Sequence, residues 1–217
     1  MRTLHFAIAP LFIATTLVCC GGSTTVGGPA GAGSSGSGSA NGTVDGATFT
    51  VASELAFTGY ANNDTACTRS SCTTTRSGQE VAVLLSNRAD FTLGSFQSLL
   101  SNSASFANLD LLGLAVINQN GNLATGTYDI VGGDDVSGAL ASFETTTSTC
   151  ATGLSATATS GTITLTQLSA TSLAGTYDVT FGAQGTFSGA FNVPFGDYPD
   201  AGVSVQGVDA GQPVCEP

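Results

Sequence analysis

The sequence predicts an all-β fold: an antiparallel sandwich or flattened barrel of mainly meander topology with one short helix. Apolar residues alternate with Thr, Ser and Asp through most of the chain after Gly42, and turn residues punctuate those runs. Helical spacing stands out at one place.

Taken in order, Thr43-Val44, Asp45-Gly46 and Ala47 to Val51 read as a tight hairpin, since Asp-Gly supplies the positive φ of a primed turn. Leu55 to Tyr60 and Glu80 to Asn87 read as strands. Leu93, Phe96, Leu99 and Leu100 fall at helical spacing, which predicts a short helix over Leu93 to Ser101, plugging one end of the β structure. Leu109 to Ile117 is apolar enough for a central strand. Gly126 to Val131, Leu140 to Thr147, Gly161 to Leu168, Leu173 to Phe181 and Thr186 to Val193 complete the set. Alternation is clearest late. Ile163 and Leu165 oppose Thr162, Thr164 and Thr166, while Tyr177, Val179 and Phe181 oppose Thr176, Asp178 and Thr180, so one face is core and the other wet. Gly126-Thr127-Tyr128-Asp129 and Gly175-Thr176-Tyr177-Asp178 echo one another as similar strand entries.

The N-terminal end carries an address. Arg2, then an apolar run from Phe6 to Val18, then Leu17-Val18-Cys19-Cys20-Gly21, has the layout of a bacterial lipoprotein signal. The run is shorter than the roughly 20 apolar residues of a membrane-spanning helix. Residues 1–19 are expected to be removed and Cys20 to carry the lipid. Its thiolate is the nucleophile a diacylglyceryl transfer needs, and two or more acyl chains, at about 0.8 kcal/mol per buried methylene, hold a protein stably. Gly21 fits outer-membrane sorting. Residues 20–42, nearly all Gly, Ser, Ala and Thr past the cysteines, cannot bury enough apolar surface to order themselves and read as a disordered tether with a reach of roughly 25 Å. Residues 43–217 are expected to form a single β domain.

Past residue 19 the chain holds 15 acids against Arg69, Arg76 and Arg88, a formal charge of −12, with no lysine, histidine or tryptophan. Nucleic acid is therefore not expected as a partner, because several phosphates cannot be neutralised. Triads, Cys/His pairs and histidine-ligated metals cannot be built. Carboxylate chemistry remains, since a glycosidase needs two acids flanking the scissile bond. Asp129 and Asp178 sit on threonine faces, which argues for solvated strand carboxylates.

Cys67, Cys72, Cys150 and Cys215 are an even set in an exported chain, which favours two disulfides over zinc. Of three pairings, Cys67 with Cys72 and Cys150 with Cys215 are expected, the latter pinning the acidic tail to a strand. Calcium is a minor expectation at Asp134 and Asp135 in the Gly132-Gly133-Asp134-Asp135 loop, or in the tail with Asp197, Asp200 and Asp209. No cofactor is expected.

Thr43-Val44-Asp45-Gly46, Ser160-Gly161-Thr162-Ile163-Thr164-Leu165, Ala174-Gly175-Thr176-Tyr177-Asp178-Val179-Thr180-Phe181, Ser188-Gly189-Ala190-Phe191 and a last cysteine resemble uncharacterised lipoproteins of myxobacteria and related bacteria. The resemblance implies a β fold and a surface location, and carries over no catalytic or binding residues. Phe195 to Pro213 departs from that family's brief ending.

The expected function is a lipid-anchored cell-envelope protein at the outer membrane. Its partners are the membrane, through the anchor, and a small-molecule, glycan or protein ligand held by a non-enzymatic structural or binding β domain. The alternatives are a carboxylate-only glycan hydrolase and a calcium-stabilised adhesion module.

Overall fold

A computed structural model describes residues 38–59, 62–67, 72–100, 104–131, 137–195 and 214–216. The leader, Cys20, most of the tether, Asp134, Asp135 and the tail aspartates lie outside the described residues.

The fold is all-β, with two antiparallel five-stranded sheets packed face to face as an open sandwich. The first sheet, A, contains β1 (Ser39–Val44), β13 (Gly185–Pro194), β12 (Ser172–Thr180), β11 (Ser160–Leu168) and β8 (Gly126–Asp129), in that spatial order. The second, B, runs β10 (Thr152–Thr157), β9 (Gly138–Thr146), β7 (Asp110–Asn118), β5 (Gln79–Ser86) and β2 (Ser53–Gly59). Two small sheets accompany them: β3 (Asn62–Cys67) with β4 (Cys72–Ser77), and β6 (Ala104–Phe106) in parallel with β14 (Val214–Glu216).

Sheet A is built from one sequence device. Gly42-Thr43-Val44, Gly126-Thr127-Tyr128, Gly161-Thr162-Ile163, Gly175-Thr176-Tyr177 and Gly185-Thr186-Phe187 give every strand a Gly-Thr-large triplet. Period-2 alternation sends the glycine and the large residue inward and the threonine outward. Inside, glycines of one strand lie opposite large residues of the next, as Gly42 opposite Phe187, Gly175 opposite Phe191 and Gly189 opposite Tyr177. At Gly175 the Phe191 ring, and at Gly189 the Tyr177 hydroxyl, occupy the vacated space, the arrangement known to rescue glycine in sheets. At Gly161 φ is +123° and an added Cβ would sit 2.1 Å from the Asp178 carbonyl oxygen, so backbone and space both demand glycine. The echo read from two strands is therefore a property of five.

Between the sheets, Phe143 of β9 meets Phe187 of β13 edge-on at 4.9 Å between centroids, and Phe49 touches both rings. Val83, Leu85, Leu112 and Leu114 complete the sheet B side, with Ile163, Val179 and Phe181 opposite. These side chains belong to one contiguous buried hydrophobic cluster shared by the two sheets.

The Asp45-Gly46 turn forms as expected. Asp45 and Gly46 have φ of 48° and 77°, and the Val44 and Ala47 amides each donate to the other's carbonyl. The strand expected over Ala47 to Val51 does not follow: the return pairing stops at the single Val44–Ala47 bridge. Instead the chain crosses between sheets and buries Phe49 on the way. Residues 39–42, expected at the end of the tether, are part of β1, paired with residues 187–190.

Helix α1 (Leu93–Leu100) begins where expected, its first turn closed by a reciprocal box. Ser95 N–H donates to Thr92 Oγ1, and Thr92 N–H donates to Ser95 Oγ, both at 3.2 Å. It does not plug an end of the sandwich. Leu93, Phe96 and Leu99 pack with Leu55, Leu84, Phe91, Phe106, Leu109 and Leu111 on the outer face of sheet B, and Phe96 stacks on Phe57 at 5.4 Å. Sheet B is thus covered on both sides over much of its area, and β5 and β7 are buried along nearly their whole length.

Candidate functional site

Two kinds of polar group stand out: an open array on the outside of sheet A and carboxyls enclosed around sheet B.

The array follows from register. Asp129, Thr162, Asp178, Ser188 and Asn41 lie side by side across β8, β11, β12, β13 and β1. The next row holds Thr127, Thr164, Thr176, Ala190 and Ser39, in which the Thr127 and Thr164 hydroxyls hydrogen bond at 2.9 Å. Thr180, Thr186 and Thr43 form a third row. Neighbours are about 4.8 Å apart across the strands and rows roughly 7 Å apart along them. Asp129, Thr176, Asp178, Thr186 and Asn41 are exposed. The expected wet threonine face is real, except that a bulge between Leu165 and Gln167 removes Thr166 from the pattern. Asp129 and Asp178 flank Thr162 on an open surface, with nothing to withdraw a carboxyl from water as a general acid requires.

The enclosed carboxyls were not singled out by sequence reasoning. Glu54, 1% exposed, lies at the β2 margin of the interior. Its Oε2 accepts from the Asn192 backbone amide at 3.4 Å, and Oε1 meets no hydrogen-bond donor in good geometry among the described residues. Burial raises its pKa, opposed by the backbone groups of Asn192 and Gly38. Tyr177, 3% exposed, donates its hydroxyl to the Ser39 carbonyl at 2.8 Å. Burial, then the nearby Glu54 charge, pushes that phenol upward. Neither group is open to a substrate. Together with Gly38 and Ser39 they fasten the start of β1.

Glu80, 5% exposed, is on the opposite face of sheet B, aligned with Gly59 and Ile117. Its Oε1 has no hydrogen-bond partner among the described residues, and burial pushes its pKa up to about 7. Glu144 is also raised to about 7 by burial, against a hydrogen bond from Ser155 Oγ at 3.2 Å. Six residues of β7 separate the positions opposite Glu80 and Glu144, or roughly 20 Å. A glycosidase pair sits about 5–9.5 Å apart. Glu54 is removed from both by the sheet itself. These acids do not flank one bond. The available signal for Glu80 was its position at the head of Val81-Ala82-Val83-Leu84-Leu85, a run continuous enough to be buried on both faces.

Arg88 is structural. It grips Asp90 with two hydrogen bonds at 2.9 and 3.0 Å, donates to the Ala107 carbonyl at 3.2 Å and lies 5.6 Å from the Phe106 ring centre. Those bonds hold the Asp90 carboxyl below its usual range.

Cys67 and Cys72 stand opposite one another in the β3–β4 register. Cys150, at φ 59°, takes part in a disulfide. Cys215 stands opposite Ser105 of β6. β6 is joined to the end of β9 by the Thr146 hydroxyl, which donates to the Phe106 carbonyl, while just beyond β6 the Asn108 amide donates to Thr147. Among the described residues, no group of three or more His, Cys, Asp or Glu side chains could hold a metal ion.

The chain matches no protein-family model, no curated protein and no solved structure.

Proposed function

We propose that this protein is a lipid-anchored component of the cell envelope, at the outer membrane. Its sandwich is a non-enzymatic binding module that presents the outer face of sheet A to an extended, hydroxyl-rich ligand such as an envelope glycan. The observation that carries this reading is the contrast between the rows on sheet A, solvent-facing and in register over five strands with Asn41, Asp129, Thr176, Asp178 and Thr186 exposed, and an interior packed with Phe49, Phe143, Phe181 and Phe187. A ligand can approach the face, whereas the interior has side chains where a carried molecule would need space. Repeated donors and acceptors suit a partner that itself repeats.

Cys20 carries the lipid in this reading. Cys67 pairs with Cys72: directly opposed antiparallel residues have Cα atoms about 4.5–5.5 Å apart, inside the range a disulfide spans. Cys150 pairs with Cys215, which the β6–β14 pairing carries toward the end of β9.

The test combines anchor and face. Labelled palmitate should enter the wild-type chain and not Cys20→Ala. The wild-type protein should sediment with purified envelope polysaccharide, and Asp178→Lys, which places a long cation amid the middle row, should leave it in the supernatant. Glycan-independent behaviour of both proteins would sink the face; turnover of the glycan would sink the non-enzymatic assignment.

A further inference from the structure

At one margin of the sandwich the edge strands of the two sheets, β2 and β1, come together around a polar group. Glu54 of β2 lies opposite Leu85, so it points to the core side of sheet B. Its carboxyl reaches across to sheet A. There it accepts from the Asn192 backbone amide of β13 and rests directly on Gly38, the residue before β1, where an added Cβ would fall on Glu54 Oε1. Beside Gly38, the Ser39 carbonyl accepts from the Tyr177 hydroxyl at 2.8 Å and the Ser39 hydroxyl accepts from the Ala190 amide at 3.3 Å. β1 has a strand neighbour on one side only, so its start is held by these contacts and by the β13 ladder.

The carboxyl is enclosed without a counter-charge. Glu54 is 1% exposed. Leu85, Asn192, Gly38 and Ser39 bring it no charge, and the ionisable group that faces it among the described residues is Tyr177 of β12, whose phenol the Glu54 charge pushes further upward. Arg88 is on the other side of sheet B, held by Asp90, the Ala107 carbonyl and the Phe106 ring. A carboxylic acid can be buried beside backbone amides, whereas an enclosed carboxylate without a cation is strongly disfavoured. The smallest movement that hydrates it is the opening of an edge strand, which breaks fewer contacts than any opening within the sheets.

We propose that Glu54 is a proton-controlled latch on β1: as the acid it keeps Gly38 and Ser39 seated on sheet A, and as the carboxylate it lets the start of the strand detach and hydrate. Burial, against the backbone groups of Asn192 and Gly38, raises the Glu54 pKa above 4.5, so the seated form holds the proton more tightly than the released form. The latch is fully closed below about pH 4.5 and loosens as the pH rises through the raised value. Release takes Ser39 and Asn41 out of the rows on sheet A, so that face is complete in acid and one strand short in alkali. The latch is independent of what the face binds.

The test is hydrogen exchange of residues 38–44 read by mass spectrometry, with wild type and Glu54→Gln compared at equal pH so that intrinsic exchange cancels. Wild type should exchange several-fold faster than Glu54→Gln at about pH 8, and the gap should narrow at about pH 5, while residues 172–180 of β12 behave alike in both proteins. Tyr177→Phe, which deletes the bond to Ser39 whatever the protonation of Glu54, should speed β1 exchange by a similar factor at both pH values. A gap between wild type and Glu54→Gln that does not change with pH, or no gap at all, overturns the proposal, since the carboxyl is then hydrated where it stands. So does acceleration that extends to β12, which is global unfolding. In the wild type alone, the Glu54 carboxyl and the Ser39 amide should titrate together by NMR, and separate midpoints overturn the latch even if the glutamine variant does not fold.

Discussion

Sheets A and B contain five strands each and share one core, yet they solve the burial problem in opposite ways. Sheet A has one face in water, so its strands alternate, apart from the bulge at Thr166, and its inward positions mix glycine with Phe, Tyr and Val. Sheet B is covered on both sides across β5 and β7, so its strands read as near-continuous apolar runs, and a polar residue in them is enclosed whichever way it points. The difference determines where polar chemistry can happen. Acids on sheet A stay solvated and available to a ligand. Acids on sheet B are held away from water, which shifts their pKa values without opening them to a substrate.

The contrast breaks most visibly at a sheet A glycine. Gly161→Ala puts a methyl group 2.1 Å from the Asp178 carbonyl oxygen at φ +123°, and should cost about 3 kcal/mol or more in urea-unfolding free energy. A loss below about 1 kcal/mol would mean that the strand entries tolerate side chains and that the Gly-Thr-large triplet is incidental.

Next in size is Glu80 on sheet B. Its pKa is raised from 4.5 to about 7 in the folded state, so the folded protein binds this proton more tightly than the unfolded chain. Its contribution is fully present below about pH 4.5 and is lost as pH rises through 7. Glu80→Gln should therefore leave stability nearly unchanged at pH 4 and raise it by up to about 3 kcal/mol at pH 8, read from paired denaturation curves. Equal effects at both pH values would show that the carboxyl is hydrated.

The smallest effect belongs to the wet face. Thr176→Val, exposed between Thr164 and Ala190 in its row, should move the unfolding midpoint by no more than the equivalent of about 0.5 kcal/mol. A larger loss would mean that the hydroxyl rows help hold sheet A together.

What was legible in the sequence follows the same division. In sheet A the period of two was visible because one face is wet, and β11, β12 and β13 fall within a residue or two of their expected limits. In sheet B the apolar run of β7 identified a central strand, and β7 is the middle of five. β3 and β4 were not legible: Asn62-Asn63-Asp64-Thr65 and Cys72-Thr73-Thr74-Thr75 lack apolar alternation, and their pairing continues the register of β2 and β5. β10 was missed because Thr152-Gly153-Leu154-Ser155 reads as a turn, and its bulged pairing at an edge adds little signal. The helix was found from its spacing but misplaced, since one amphipathic stripe does not say which apolar surface it covers. For the candidate site, the threonine rows were half visible. Two strands displayed them, but their alignment across five depends on registers that only folding sets.

The pairing of β1 with β13 has a consequence for how the molecule comes into being. Val44 meets Gly185 and Ser39 meets Ala190, so β1 waits for β13, which is synthesised after every other strand of the two five-stranded sheets. Contacts this distant in sequence slow folding, and a chain emerging N-terminus first keeps one border of the sheet unzipped until its final strand arrives. Assembly of sheet A is completed by closing a circuit between an early and a late segment of the polypeptide, and a nascent chain interrupted anywhere upstream of residue 185 would leave β1 without its neighbour.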